Sequence, residues 1–385
     1  MASTSREYHV SLATVVREWS RLGITGFGGP PAHVSLLRTL CVETHAWLDE
    51  EEFEHALAAT NLLPGPASTQ LAIYCAWRVR GVYGAIVGGA CFIMPGFVII
   101  VALASLFLDG AAPQWVKGVA LGAGAGVPAV ALRTAQQLGR TSWQRTTSVG
   151  TTTWRWLVPL LIGAGAALWL PALIVVAIIA TGLFEVLSRT RDAKHGSSGF
   201  LAALAPAHLI GAGVGALAWV ALKIGALSYG GGFVIVPLMQ HDVVSSYHWM
   251  TGAQFLNAIA LGQVTPGPVV LTIAVVGYAA KGTIGAVIAA CVAFAPSFLI
   301  VILAGRRFDR LRTNVRATAF LAGAGPCVIG AIAGSSISLG LLIERVWQLP
   351  ILVAALLMLF VARRSLVTTL LASACAGGLF SIWWH

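Results

Sequence analysis

The sequence predicts an all-α polytopic membrane protein made of two homologous repeats. Three observations carry that reading. Charged residues make up 10% of the 385 and hydrophobic ones 57%. Apolar runs reach the length of a spanning helix. The helix-breaking tripeptide Pro-Gly-Pro occurs at 64–66 and again at 266–268. A soluble domain carries about 25% charged residues, so this composition cannot cover a water-facing surface. One large soluble core fails as an alternative, because the apolar runs are too long and too many. Gly81–Leu108 is a charge-free run of 28 residues with no period of two, and Thr283–Gly305 is similar. A spanning helix needs roughly 20 apolar residues, a spanning strand about 10 with alternation. Helices also satisfy their own backbone hydrogen bonds, which lipid cannot do.

Along the chain, residues 1–20 lack the apolar core of a signal peptide. Leu12, Val15, Val16 and Trp19 recur at helical spacing among Arg6, Glu7, Arg17 and Glu18, as in an amphipathic helix at the membrane surface. Roughly six apolar segments per half follow, near 20–40, 55–77, 81–108, 116–137, 154–170 and 171–187 with their partners, or roughly 10–13 membrane segments in all. Those at 154–170, 171–187 and 349–362 are short for full spans, and the broken ones are candidates for re-entrant helices.

Sliding the chain against itself aligns Arg21 with Lys223, Phe27-Gly28-Gly29 with Tyr229-Gly230-Gly231, Trp47 with Trp249, and Pro64-Gly65-Pro66 with Pro266-Gly267-Pro268, an offset of 202 (266 − 64). After one deletion the offset becomes 201, and Gly81, Gly84 and Pro95 meet Gly282, Gly285 and Pro296. The expected division is a repeat at 1–187, a polar linker at 188–200 and a second repeat at 201–385.

Loop charges bear on orientation. The loop near 109–117 holds Asp109 and Lys117, whereas its counterpart holds Arg306, Arg307, Arg310, Arg312 and Arg316 against Asp309. The next loop reverses this: Arg133, Arg140, Arg145 and Arg155 stand against a counterpart with Glu344 and Arg345. Equivalent loops swap their charge, which under the positive-inside rule predicts inverted repeats. Arg189, Arg191 and Lys194 favour an inside linker and pull the other way. The crossing count stays open.

The net charge of +10 follows from basic loops and points to no nucleic-acid partner. Cys41, Cys75, Cys91, Cys291, Cys327 and Cys375 form no CxxC or other metal-ligand spacing, so neither metal nor disulfide framework is expected. No HExxH, no Gly-x-Ser-x-Gly elbow and no P-loop occurs, so an enzyme is not expected and no cofactor is called for.

Each half carries two glycine/proline interruptions: "GFGGPPAHV" at 26–34, matched by "SYGGGFVIVP" at 228–237, and the Pro-Gly-Pro pair. In lipid, backbone groups freed by such breaks need partners in protein, water or a ligand. Proline suits the first helical position, so Pro66 would open a helix offering the amides of Ala67, Ser68 and Thr69, and Pro268 one offering those of Val269, Val270 and Leu271. Helix starts bind anions; two of them meeting near the bilayer centre would form a pseudo-symmetric anion site. Polar neighbours are Asn61, Ser68, Thr69 and Gln70 in the first half, and Gln263, Thr265 (placed to cap) and Thr272 in the second. Arg21 and Lys223 precede the glycine clusters and could attract an anion. His33, Glu185 and Asp242 are weaker candidates for carrying protons. The acidic run Asp49–Glu54 reads as a solvated helix cap.

With "FGGPPAHV" and "NLLPGPASTQLAIY" and their echoes "YGGGFVIVPLM" and "QVTPGPVVLTIAVVGY" in the same order, the chain resembles the chromate ion transporters of the long-chain, two-domain type. The resemblance implies export of chromate across the bacterial inner membrane, driven by the proton motive force, with opposed halves and chromate resistance as the outcome. Protons are then the coupling ion, the lipid bilayer is the setting, and a homodimer is an admissible assembly. On matched positions the family motifs fall on Phe27, Gly28, Gly29, Pro30, Pro64, Gly65 and Pro66, and on Tyr229, Gly230, Gly231, Pro266, Gly267 and Pro268. Gly232 stands where the first half has Pro30. Sulfate is a tetrahedral dianion like chromate, so a sulfate or other inorganic anion transporter or channel is the alternative.

Overall fold

The computed structural model describes residues 10–108, 113–148, 153–190, 213–228, 235–305 and 315–383, and no strand occurs among them. The first half contains α1 (Leu12–Thr25), α2 (Pro30–Arg38) running into a π-helical turn (Thr39–Thr44), α3 (Glu50–Thr60), α4 (Ala67–Leu108), α5 (Gln114–Ser148), α6 (Trp154–Trp169) and α7 (Ile174–Thr190). The second contains α8 (Val214–Leu227), α9 (Ile235–Gln240) with its π-helical turn (His241–Ser246), α10 (Gly252–Val264), α11 (Thr272–Ala304), α12 (Val315–Gly340), α13 (Gln348–Phe360) and α14 (Leu366–Trp383). Six helices among the described residues are long and apolar enough to cross a membrane. Their outward side chains are apolar, with Leu379, Leu303 and Ile284 among those exposed.

The duplication reaches single residues. Ala46 and His248 both take a positive φ, 49° and 51°. His45 stacks on Trp47 and Tyr247 on Trp249, with centroids 4.2 and 4.7 Å apart. Asp49 caps α3 by accepting from the Glu52 amide, and Thr251 caps α10 by accepting from that of Gln254.

The amphipathic pattern of residues 12–19 has another cause than a membrane surface. Val15 and Trp19 are fully buried, and Trp19 Nε1 donates to the Ala72 carbonyl on α4 at 2.9 Å. Pro95 deprives the carbonyl four residues back of its helical donor, and Gly23 packs directly on the Cys91 and Phe92 carbonyls. Thus α1 is a packed helix of the bundle.

Both long broken helices are hairpins. Arg80 and Gly81 leave helical geometry (φ −144°, ψ 25°; φ 60°, ψ −150°), and Lys281 and Gly282 repeat it (φ −149°, ψ 27°; φ 61°, ψ −154°). The second residue of each pair sits in backbone space that is essentially glycine-only. Beyond the turn, Gly84 and Gly88 pack back on Ala76, and Gly285 on Gly277; in a straight helix Ala76 and Gly88 would be about 18 Å apart. So α4 is an inner arm from Ala67 to Arg80, about 21 Å long, folded against an outer arm of about 40 Å. The inner arms are almost wholly buried. The helices following Pro-Gly-Pro are therefore re-entrant.

The halves interlock by exchanging their last two helices. Gly118 meets Ser381, Gly122 meets Ser373 and Gly377, and Gly126 meets Leu370, so α14 runs antiparallel to α5. Gln348 Nε2 donates to the Leu121 carbonyl and Arg133 lies over Phe360, so α13 runs parallel to α5. Reciprocally, α6 lies parallel to α12 through Gly330 on Leu160 and Gly334 on Ala164, and α7 returns along α12 through Gly182 on Phe320. Trp156 Nε1 donates to Ser142 Oγ at 3.0 Å, and the Trp156 ring meets Trp143 edge to face, so α6 turns back beside the end of α5. Because α6 opposes α5 and parallels α12, α5 and its counterpart α12 run in opposite directions, which is the geometry of inverted repeats.

One end of the bundle collects the arginines. Glu185 on α7 pairs with Arg155 at 3.3 Å and Arg189 at 2.8 Å, and packs against Gly323 near the start of α12. Arg189 thus stands at the end that inversion assigns to Arg155 and Arg316, and its own charge no longer argues against inversion. Of the basic loop, Arg306, Arg307, Arg310 and Arg312 lie outside the described residues, as do Asp109 and linker residues 191–200. The hairpin turns predict opposite sidedness. In a background without native cysteines, cysteine at Arg80 should react with an impermeant thiol reagent from one membrane face and cysteine at Lys281 from the other. Labelling of both from one face would overturn the inversion.

Candidate functional site

The two Pro-Gly-Pro breaks sit at mid-depth, each about 20 Å from its hairpin turn at 1.5 Å per residue. Each leans on the other half's outer arm. A methyl at Gly65 would lie 3.1 Å from Ser297 Oγ on α11, and one at Gly96 on α4 would fall inside contact distance of the Pro266 carbonyl. Gly96 and Ser297 are repeat counterparts, each following a proline, Pro95 and Pro296. Gly65 and Gly267 both have positive φ, 119° and 95°, which lets each tripeptide turn without side-chain strain.

A chain of hydrogen bonds joins these breaks to the first glycine cluster. The Gly267 amide donates to the Gly26 carbonyl at 3.0 Å. His33 Nε2 reaches the same carbonyl at 3.0 Å, and His33 Nδ1 lies 3.2 Å from Ser68 Oγ. A carbonyl can only accept, so Nε2 carries the proton and the Ser68 hydroxyl donates to Nδ1. His33 is 1% exposed and meets Phe92 edge to face at 5.1 Å. It ties α2, the start of α4 and the second half's break into one unit.

The helix starts differ from the proline-first expectation. Pro66 is the residue before α4: its carbonyl accepts from Thr69 and Gln70. The open amides are therefore those of Ala67 and Ser68, and Thr69's is used. Likewise the Leu271 amide donates to the Pro268 carbonyl in a short 3-10 turn (Val269–Leu271), leaving those of Val269 and Val270. Thr265 does not cap this start; its hydroxyl and its amide both return to the Leu261 carbonyl. The Thr272 hydroxyl bonds the Val269 carbonyl at 2.8 Å.

The first break is different. Thr69, Gln70 and Ser297 are fully buried, and Thr69 Oγ1, Gln70 Oε1 and Ser297 Oγ have no hydrogen-bond partner. Gln70 Nε2 donates to the Pro64 carbonyl at 2.6 Å, which fixes the amide's orientation. Ser228 Oγ is also buried and unpartnered, as is Gln263 Nε2 on the last turn of α10. A buried polar group without a partner costs about 1–3 kcal/mol, so Thr69, Gln70 and Ser297 together at the first break mark a place that binds something polar.

Other expected residues fall elsewhere. Asn61 and Pro64 are exposed, as are Arg21, Phe27 and Gly28, while Gly29 and Pro30 open α2. Lys223 is paired with Asp242, so its charge is already neutralised. The acidic run is more than a solvated cap: Glu50 pairs with Arg38 at 2.6 Å and Glu52 with Arg78. Tyr229, Gly230 and Gly231 lie outside the described residues, as does Gly232. Ser297 and Gly96 were not among the sequence candidates; their position directly after aligned prolines was the available signal.

The family model described as chromate transporter matches residues 13–186 and 215–378. A chromate transport protein of Cupriavidus metallidurans is 31% identical over 86% of this chain and 82% of its own length. One of Pseudomonas aeruginosa is 30% identical over 93% of this chain and 90% of its own. A probable chromate transport protein of Synechococcus elongatus is 29% identical over 86% and 85%. No solved structure matches the chain.

Proposed function

This chain belongs to the chromate transporter family, and on that premise we propose that it is a secondary transporter exporting chromate across the bacterial inner membrane. The protein is a multi-pass membrane protein. The observation that carries the proposal is the meeting, at mid-depth, of repeat-equivalent helix breaks with open amides and partnerless hydroxyls. Transporters of inverted-repeat design place their substrate at such breaks. Donors without acceptors suit an oxyanion, and two opposed repeats can expose them alternately to either side.

The driving force follows from charge. Moving one charge across 100 mV is worth about 2.3 kcal/mol, so an inside-negative membrane favours outward movement of a dianion by about 4.6 kcal/mol per 100 mV. The proton motive force thus powers export without covalent chemistry in this chain. In everted vesicles, chromate uptake should exceed that of vesicles lacking the protein, and a proton uncoupler should abolish the difference. Unchanged uptake would overturn export. Excess sulfate distinguishes the alternative: a sulfate carrier loses its chromate uptake to competition, whereas a chromate-selective one retains it.

A further inference from the structure

We infer that the oxyanion is held on one side only, in an uncharged cup around the start of α4, while the matching start in the second half serves as a brace. This rests on the transport reading above.

The two breaks are equivalent in sequence but not in hydrogen bonding. At the second, every nearby hydroxyl is consumed by backbone: Thr265 by Leu261 and Thr272 by Val269. The Gly267 amide is spent on Gly26. The first turn there carries Val269, Val270 and Leu271, all buried and apolar. Gln263 Nε2 belongs to α10, ahead of the break. Apart from the open amides of Val269 and Val270, this start is bonded to its neighbours, and its side chains present hydrocarbon.

At the first break the same positions are polar and unspent. The amides of Ala67 and Ser68 point out of a helix start, which favours negative charge. Thr69 stands in the first turn, where side chains lean towards the helix N-terminus; its hydroxyl is buried and partnerless. Ser297 brings a second such hydroxyl from the opposite half, beside Gly65. Ser228, the repeat counterpart of Gly26 (228 − 26 = 202), carries a third buried hydroxyl without a partner, at the end of α8. The Ser68 hydroxyl is held by His33 and stays outside the set.

No charged side chain is ion-paired or hydrogen-bonded to these groups among the described residues. Neutral donors hold an oxyanion through dipoles, without the deep well a buried arginine would create. That suits a carrier, which must release what it binds.

The test compares variants at the two breaks in everted vesicles, with chromate and with sulfate as probes. Thr69→Val and Ser297→Ala should each raise the KM for chromate about tenfold or more, the usual reach of a hydrogen bond to a charged group. Ser297→Thr, which keeps the hydroxyl, should restore it. Thr265→Val and Thr272→Val should stay within about twofold, because their hydroxyls serve backbone. Membrane abundance is followed in parallel; if Thr69→Val is missing from the membrane, the smaller change Ser297→Ala decides. Equal KM increases at both breaks, or normal KM in the first-break variants, would overturn the one-sided cup while leaving transport intact. A wild-type protein that moves neither anion overturns the transport reading, and the cup with it.

Discussion

Gly96→Ser should abolish chromate transport, even though serine is what the second repeat carries at the matching position, Ser297. A β-carbon at Gly96 would collide with the Pro266 carbonyl and lie 2.8 Å from Leu271 Cδ1. Neither wall can yield easily. The carbonyl belongs to a tripeptide whose prolines fix φ and whose Gly267 amide is bonded to Gly26. The outer arm of α4 is held by Gly23 on its carbonyls and by Phe298 against Gly89. Overpacking a well-filled site costs about 1–3 kcal/mol, and here the clash is backbone to side chain with no rotamer to relieve it. The strain falls on the crossing that brings the two breaks together. Cells carrying the variant should lose chromate resistance, with the protein still detectable in membranes. Gly325→Ser, where nothing lies within 4 Å, is the control and should behave as wild type. Full resistance in Gly96→Ser would show that α4 and Pro266 are free to separate.

Much of this architecture was legible because it depends on residue type and position. A chain so poor in charge must be in lipid; Arg78, Arg80 and Gly81 interrupt an apolar run and mark the hairpin turn; aligned glycines and prolines expose the duplication. The alternating arginine clusters pointed to the inversion, although Arg133, Arg140 and Arg145 sit on α5 and not in a loop; Arg189, which as a linker charge argued against it, sits on α7 beside Arg155. Hydrogen bonding was not legible. Thr69, Thr265 and Thr272 are the same residue type near equivalent breaks, yet two are satisfied by local backbone and one is not. Contacts between halves were hidden for the same reason: nothing local to Gly26 announces that its carbonyl serves Gly267. Lys223 looked like an anion attractor because Asp242, 19 residues away, gives no sequence sign that it returns to pair with it.

Glu185→Ala should cost about 2–3 kcal/mol of stability, near the lower end for breaking a buried ion pair. The carboxylate is 4% exposed and stands between Arg155 and Arg189. Its removal leaves two guanidinium groups facing each other at an end already rich in arginine, each with about a third of its surface or less in contact with solvent. The damage would not stay local. Glu185 packs on Gly323, so the α7 face it anchors is the one through which the first half embraces α12 of the second. Thermal unfolding of the detergent-purified protein should therefore begin at lower temperature as one transition that includes both halves. Glu185→Gln keeps the side chain's volume and an acceptor oxygen, and should fall between wild type and Glu185→Ala. That pair of variants also separates structure from proton transfer. If Glu185 pins the bundle, the folded Glu185→Gln protein still moves chromate with the same uncoupler sensitivity. If it carries the proton, Glu185→Gln is as stable as wild type and inactive, and the ion-pair account fails.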